Sequence, residues 1–271
     1  MKRVGALLLA AGYGSRLRPL TDSLPKCLMP IRGRPLLEYW ISILQDLDVS
    51  PIIVNTHYRE QDVKHFLEKK SFSPPVITSS EKNLLGTAGA LRENSRMLSD
   101  RTTFLAHADN WSQCYWTDFL EFHHRQRPAN TVMTMMTFRT DSPSLCGIVE
   151  IDNRGLVLDL FEKVDNPPSN LANAAVYLIE KEIYDFLERN PEVSDFSTQV
   201  LPAFFGKIAT WENRWIHRDI GSVGSLVKAQ AEEGWSVKLP KADAWQTDFE
   251  KHPVHDLIHK LVEMESLDEG Q

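Results

Sequence analysis

The chain has 271 residues, 42% of them hydrophobic, with 30 Lys and Arg against 37 Asp and Glu, a formal net charge of −7 at pH 7. This is enough apolar material for one substantial core, and an α/β domain of this length needs no subdivision. The negative balance excludes a general attraction to nucleic acid or to an anionic membrane, so an anionic ligand would be held by local cations against a repulsive background.

No apolar run approaches the roughly 20 residues that cross a bilayer. Met1-Lys2-Arg3 followed by an apolar run mimics a signal peptide, but the run is short and leads into an arginine-bearing glycine loop, so it reads as part of the fold. Cys27, Cys114 and Cys146 are odd in number and scattered, the pattern of reduced thiols, and a cytoplasmic protein is expected.

In chain order, the first half alternates strand-like and helix-like segments: strand 4–10, helix 35–47, strand 51–55, helix 60–68, strand 75–79, helix 87–98 and strand 102–107. Such alternation predicts a parallel sheet with ligand loops at the carboxyl ends of its strands, and Pro35 suits a first helical position. The second half reads as strand 130–138, a hairpin turning at Asn153 and Gly155, strand 173–179, helix 180–189, a helix near 196–206, strands near 207–218 and a helix at 222–233. The fold class is therefore α/β: a Rossmann-like three-layer α/β/α arrangement with a mainly parallel mixed sheet and a small β subregion. A catalytic domain is expected over 1–235, and 236–271 reads as a short appendage with an amphipathic helix near 253–265 and an acidic, fraying end.

The strongest local signal is the stretch from Leu7 to Lys26, where a buried strand ends in Gly12-Tyr13-Gly14-Ser15-Arg16. Gly12 and Gly14 permit positive φ and close backbone approach, and the amides after them can cradle phosphate oxygens. Arg16 and Lys26 add charge, with Arg18 nearby, and Pro19 and Pro25 stiffen the loop between them. A dinucleotide fingerprint would need glycine where Leu17 stands, and no Gly-Lys-Ser/Thr is present for a P-loop. Asp109 emerges just beyond strand 102–107, and Asp219 lies after a strand and before a helix in Trp215-Ile-His-Arg-Asp219-Ile-Gly221. Taken alone, an Asp at a strand end such as Asp109 is more often a turn former or helix cap than a metal ligand, and Asp219 is likewise ambiguous.

The whole string from Leu7 through Pro30-Ile-Arg-Gly33-Arg-Pro35 to Tyr39 resembles the signature of the sugar-phosphate nucleotidyltransferases, and the resemblance extends over about residues 1–235. Among their subgroups the motifs are most similar to the mannose-1-phosphate guanylyltransferases. The resemblance implies a nucleoside triphosphate and a sugar 1-phosphate as partners, with no nucleic acid or membrane partner, Mg²⁺ as cofactor, and a homodimer left open as the assembly. It implies nucleotide contacts from Leu9, Ala11, Gly12, Gly14, Ser15, Arg16, Lys26, Glu81, Gly86 and Thr87. By the same likeness Asp109 and Asp219 hold Mg²⁺, a metal suited to hard oxygen ligands that leave it several waters and let it grip phosphates. Glu162-Lys163 is similar to the family's Glu-Lys-Pro motif, which assigns the lysine to the sugar phosphate and the glutamate to sugar hydroxyls, with Asn173 and the Gly147 backbone as further sugar contacts. Arg16, Lys26, Asp109 and Lys163 are the expected catalytic groups. Ala108, Val164, Ala175 and Ser222 depart from the family pattern, and none of these changes removes a charge. The 36 residues beyond 235 are too few for the β-helical extension that some relatives carry.

Glu81, in Glu81-Lys-Asn-Leu-Leu-Gly86-Thr87-Ala-Gly89, bears on the base. An ionised carboxylate only accepts, so it matches the adjacent N1–H and N2–H₂ donors of guanine, whereas uracil and thymine offer one N–H between carbonyls. By analogy with side-chain readout of base edges the pair contributes roughly 1–3 kcal/mol of discrimination. The expected reaction is transfer from GTP to mannose 1-phosphate or a manno-heptose 1-phosphate with release of pyrophosphate. The alternatives are uridylyl transfer to an amino-sugar 1-phosphate, since related uridylyltransferases carry Glu at this position, and a non-catalytic relative that binds nucleotide sugars. Two other signals read as structural: His255 and His259 have zinc-helix spacing without the adjoining glutamate, and Cys27 reads as a buried filler.

Overall fold

A computed structural model describes residues 3–70 and 72–268. Its strands are β1 (Val4–Leu9), β2 (Pro30–Ile31), β3 (Arg34–Pro35), β4 (Ile52–Thr56), β5 (Ile77–Ser80), β6 (Thr102–His107), β7 (Asn110–Gln113), β8 (Met133–Arg139), β9 (Gly147–Ile151), β10 (Val157–Glu162), β11 (Leu171–Ile179), β12 (Ile208–Glu212) and β13 (Ile216–Asp219). The main sheet runs β10-β9-β11-β6-β1-β4-β5, with β8 and β12 attached beside β11. Strands β6, β1, β4 and β5 are parallel, and β11 runs against β6.

The chain leaves β1 toward β4 and β5 and then returns to place β6 on the other side of β1. The loops after β1 and β6 therefore diverge from neighbouring strand ends, where Leu9 pairs with His107. Crevices of this kind at a reversal of strand order are where open α/β sheets bind ligands.

Burial on both faces explains why β1 reads as an unbroken apolar run, while β6 carries its apolar residues, Phe104 to Ala106, after two buried threonines. Ala6, Leu8, Phe104 and Ala106 face one core, with Trp40, Trp111 and Phe119. Leu7, Leu105 and Ile53 face the other, with Tyr177, Phe196 and Ile183. The first core is covered by helix Leu36–Asp46, whose aromatic Trp40 packs edge-on against Phe104 and Trp116. The helix expected over 87–98 is divided at Asn94, whose side chain caps the Ala90 carbonyl. The segment near 196–206 winds as a π turn followed by a 3₁₀ turn.

Beyond residue 235, helices Ala244–Phe249 and Val254–Asp268 pack on the first core, to which Phe249, Val254 and Ile258 belong. Lys70, buried, joins this segment to the domain through Glu38 at 2.6 Å and Asp243 at 2.9 Å. The segment expected as an appendage packs on this core through Phe249, Val254 and Ile258, and the very end, expected to fray, lies partly outside the described residues. Among the described residues no helix is long and apolar enough to cross a membrane.

Candidate active site

After β1 the chain turns through Gly12 and Gly14 into a single 3₁₀ turn, Ser15–Leu17. Gly14 has φ 62°, and a Cβ there would meet Thr21 Cγ2 at 2.9 Å and Lys26 Cβ at 3.1 Å, so the loop's own closure requires glycine. Gly12 differs, because a Cβ there would meet nothing within 4 Å. A cleft of about 170 Å³ opens above this backbone, lined by Leu9, Gly12, Gly14, Ser15, Arg16 and Lys26 together with Asp109. Ala11 is buried, its carbonyl accepting the Tyr58 amide at 3.4 Å. Arg18 pairs instead with Asp22 at 3.2 Å and does not line the cleft.

A ribbon absent from the sequence-based expectation brings the two aspartates together. Asp109 follows β6, the chain continues directly into β7, and β7 pairs antiparallel with β13 so that Asp219 stands opposite Asn110. The Ile220 amide donates to the Asp109 carbonyl at 3.2 Å. Both carboxylates converge on Lys26, whose Nζ donates to Asp109 Oδ2 at 2.5 Å and Asp219 Oδ1 at 2.7 Å. Arg16 Nη2 adds a longer contact to Asp219 Oδ2 at 3.5 Å. Gly221 makes room for this cluster, since a Cβ there would stand 2.6 Å from Arg16 Nη2 and 2.8 Å from Asp219 Oδ2.

The Lys26 side chain is only 10% exposed. Burial disfavours its charge, but Asp109 and Asp219 outweigh that cost and hold the ammonium above its ordinary pKa. Burial likewise pushes the Asp109 carboxyl up, while the charges of Lys26 and His107 and the bond from Lys26 bring it below the usual carboxylate range. Among the described residues no three His, Cys, Asp or Glu side chains gather as a metal cluster. Two carboxylates meeting at one cationic point nevertheless fit Mg²⁺, which binds through one or two carboxylates and keeps its waters for phosphate exchange.

Glu81 directly follows β5 and is buried, 6% exposed. Its Oε1 accepts from Asn55 Nδ2 at 2.7 Å and its Oε2 from the Leu85 amide at 3.0 Å. The Asn55 Oδ1 in turn accepts the Ala10 amide at 2.6 Å. Gly86 has φ 76°, and its Cβ position falls 2.3 Å from the Ser194 carbonyl oxygen. Its glycine is thus demanded by packing against the 194–196 segment, independently of any base. Thr87 belongs to the same contact, its Oγ1 accepting the Phe196 amide at 2.7 Å.

The β9–β10 hairpin sets Gly147 opposite Glu162, and a Cβ on Gly147 would lie 2.5 Å from Glu162 Oε2. Lys163 follows with φ 52°, its amide bonded to the Cys146 carbonyl and its side chain 62% exposed, 3.7 Å from Glu162. Asn173 spans an irregularity in β11, donating to Tyr177 Oη at 2.7 Å and accepting the Ala175 amide at 2.9 Å. The Cys146 thiol is pushed up chiefly by burial, with the bond to Thr140 and the charge of Lys163 opposing the rise and Asp219 and Glu162 adding to it.

Asn55, Gly221 and the β7–β13 ribbon were missed from sequence. Asn55 carried a signal, a polar residue in the otherwise apolar run Pro51-Ile-Ile-Val-Asn55. Cys27 is buried and its thiol is pushed up to about 12, chiefly by burial and then by Asp109, as suits a filler. His255 packs edge-on to Phe249 while His259 pairs with Glu263, so these histidines have different partners.

The pattern of the nucleotidyl transferase family matches residues 5–234. The chain is 28% identical over 235 residues to the mannose-1-phosphate guanylyltransferase of Mycobacterium tuberculosis, covering 85% of this chain and 64% of that protein. It is 30% identical over 190 residues to the mannose-1-phosphate guanylyltransferase catalytic subunit beta of Drosophila melanogaster, covering 69% of this chain and 51% of that protein. It therefore spans about half to two thirds of the length of these relatives. The crystal structure of HddC from Yersinia pseudotuberculosis superposes with a TM-score of 0.72 at 24% identity, covering 85% of this chain and 99% of that one. A UDP-glucose pyrophosphorylase complexed with UDP-glucose superposes with a TM-score of 0.69 at 18% identity, covering 85% of this chain and 98% of that one. With the family pattern spanning most of its length and the same fold in these solved structures, the chain belongs to the nucleotidyl transferase family.

Proposed function

We infer that the protein transfers a nucleotidyl group from a nucleoside triphosphate to a sugar 1-phosphate. The observation that carries this reading is the convergence of Asp109 and Asp219 on Lys26 beside the open backbone of Gly12. An oxygen of the sugar phosphate attacks the α-phosphorus in line, a P–O bond forms, the α–β bridge bond breaks, and pyrophosphate leaves with its electron pair. The nucleophile is already an anion, so no general base or covalent intermediate is needed and catalysis rests on positioning and charge neutralisation.

In this reading Arg16 and Lys26 hold the triphosphate over the amides after Gly12, and the exposed Lys163 receives the sugar phosphate. Glu162, the Gly147 backbone and Asn173 contact the sugar. Mg²⁺ held by Asp109 and Asp219 supplies charge neutralisation on the phosphates. Residues 1–235 act as the catalytic domain, and the segment after it braces it through Phe249, Val254 and Ile258.

GTP is the favoured nucleotide. Each Glu81 oxygen accepts one protein bond and retains a second acceptor site, and an acceptor-only carboxylate suits the paired donors of guanine. The name mannose-1-phosphate guanylyltransferase carried by the relatives supports the same choice and favours mannose 1-phosphate or a manno-heptose 1-phosphate as acceptor. Four nucleoside triphosphates crossed with several sugar 1-phosphates in the presence of Mg²⁺, with products weighed by mass spectrometry, test this. A GDP-sugar is expected. A UDP-amino sugar as main product overturns the base assignment, and no product from any pair overturns the activity.

A further inference from the structure

We propose that Lys26 is an internal counter-ion that occupies the divalent-cation position of the resting protein, so that the cation and the triphosphate bind as one coupled event. This rests on the nucleotidyl transfer reading and extends it to the protein before any ligand arrives. Lys26 Nζ stands 2.5 Å from Asp109 Oδ2 and 2.7 Å from Asp219 Oδ1, the point at which a cation shared by the two carboxylates would sit. Its side chain is 10% exposed, so the ammonium is no loosely held surface charge.

Two carboxylates this close repel each other, and one partly buried carboxylate is costly without a partner. Lys26 answers both needs, and with Arg16 near Asp219 the two acids meet two cations. A free divalent ion gains little from such a balanced cluster, because it must first expel a buried ammonium that then lacks a partner. A triphosphate changes the balance. It offers Lys26 and Arg16 new oxygen partners across the cleft that both side chains line, and it leaves Asp109 and Asp219 needing a replacement cation. Each ligand therefore raises the affinity for the other, and such coupling is reciprocal.

The test measures Mn²⁺ binding to the full chain without nucleotide, by electron paramagnetic resonance, so it requires no turnover. Wild-type protein is expected to bind Mn²⁺ at this site only in the millimolar range. Lys26→Gln is expected to bind it at least tenfold more tightly, and adding Asp219→Asn is expected to abolish the gain. Lys26→Met, which keeps an apolar stem in the same place, repeats the comparison if the glutamine variant does not fold. Unchanged or weaker Mn²⁺ binding in the lysine variants overturns the proposal, as do tight stoichiometric binding by the nucleotide-free wild type and a gain that survives Asp219→Asn. Failure of every substrate pair to react would remove the transfer reading while leaving this competition measurable.

Discussion

Asn55 links the glycine loop to Glu81: its side-chain amide donates to Glu81 Oε1 at 2.7 Å, and its carbonyl oxygen accepts the Ala10 amide at 2.6 Å. A buried asparagine in β4 thereby ties the start of the glycine loop to the carboxylate assigned to the base. Glu81→Gln turns one acceptor into a donor facing either Asn55 Nδ2 or the Leu85 amide, so one bond is lost. A stability loss of about 1–3 kcal/mol is expected in urea denaturation, since a buried polar group is left unpaired. The same variant should lose GTP over UTP preference by roughly tenfold or more in kcat/KM, in line with about 1–3 kcal/mol for a bidentate base contact. A variant that keeps both stability and preference would contradict the assignment.

The two loop glycines should respond differently to alanine. Gly14→Ala introduces a Cβ at φ 62° that meets Thr21 at 2.9 Å, and it should lower stability by roughly 1–2 kcal/mol. Gly12→Ala meets no protein atom within 4 Å, and its stability should stay within about 0.5 kcal/mol of wild type while the KM for the triphosphate rises. Thermal denaturation together with steady-state kinetics separates the two effects. A Gly12→Ala protein with unchanged KM would mean that the nucleotide does not approach this backbone.

Ala175 has φ 51° within the β11 irregularity, a conformation that disfavours a side chain. Ala175→Gly should therefore stabilise the protein by about 0.5–1 kcal/mol, the left-handed penalty being larger than the extra chain entropy of glycine. The midpoint of urea unfolding should shift upward without a change in slope.

His123 is fully buried between Thr134 at 2.8 Å and Glu180 at 3.0 Å, with its pKa lowered to about 4 chiefly by burial. The folded value lies below the unfolded value near 6.5, so below that pH the unfolded chain binds more protons. Stability from this group is full above pH 6.5 and is lost as pH falls toward 4. Urea midpoints measured from pH 7 to 5 should decline, and His123→Gln should flatten the decline by up to about 1.4 kcal/mol per pH unit. An identical slope in the variant would contradict the buried neutral imidazole.

The parallel half of the fold could be read from sequence because β1, β4 and β6 are largely buried on both faces and each carries a continuous apolar segment, Val4 to Leu9, Ile52 to Val54 and Phe104 to Ala106. The β7–β13 ribbon could not, because Asn110-Trp-Ser-Gln113 is mostly polar and has no strand periodicity, although all four residues are buried. Asp109 and Asp219 were identifiable by motif, but their meeting point depends on that ribbon and on Lys26. The division of the helix at Asn94 was similarly hidden, since the helical pattern continues across it, while the Asn94 backbone turns to φ −93° and ψ 8° and its side chain bonds to Ala90. Gly86 could be located as a needed glycine, yet its cause is the Ser194 carbonyl far along the chain, a tertiary contact with no local signature.

Pyrophosphate release in the presence of Mg²⁺, compared among wild type, Asp109→Asn and Asp219→Asn, tests most directly whether the two distant carboxylates act together. Wild type should release pyrophosphate only when triphosphate and sugar 1-phosphate are both present, and each substitution should lower turnover on the order of 10²–10³-fold, by analogy with lost charge-stabilising groups. Wild-type rates in both variants would contradict the account.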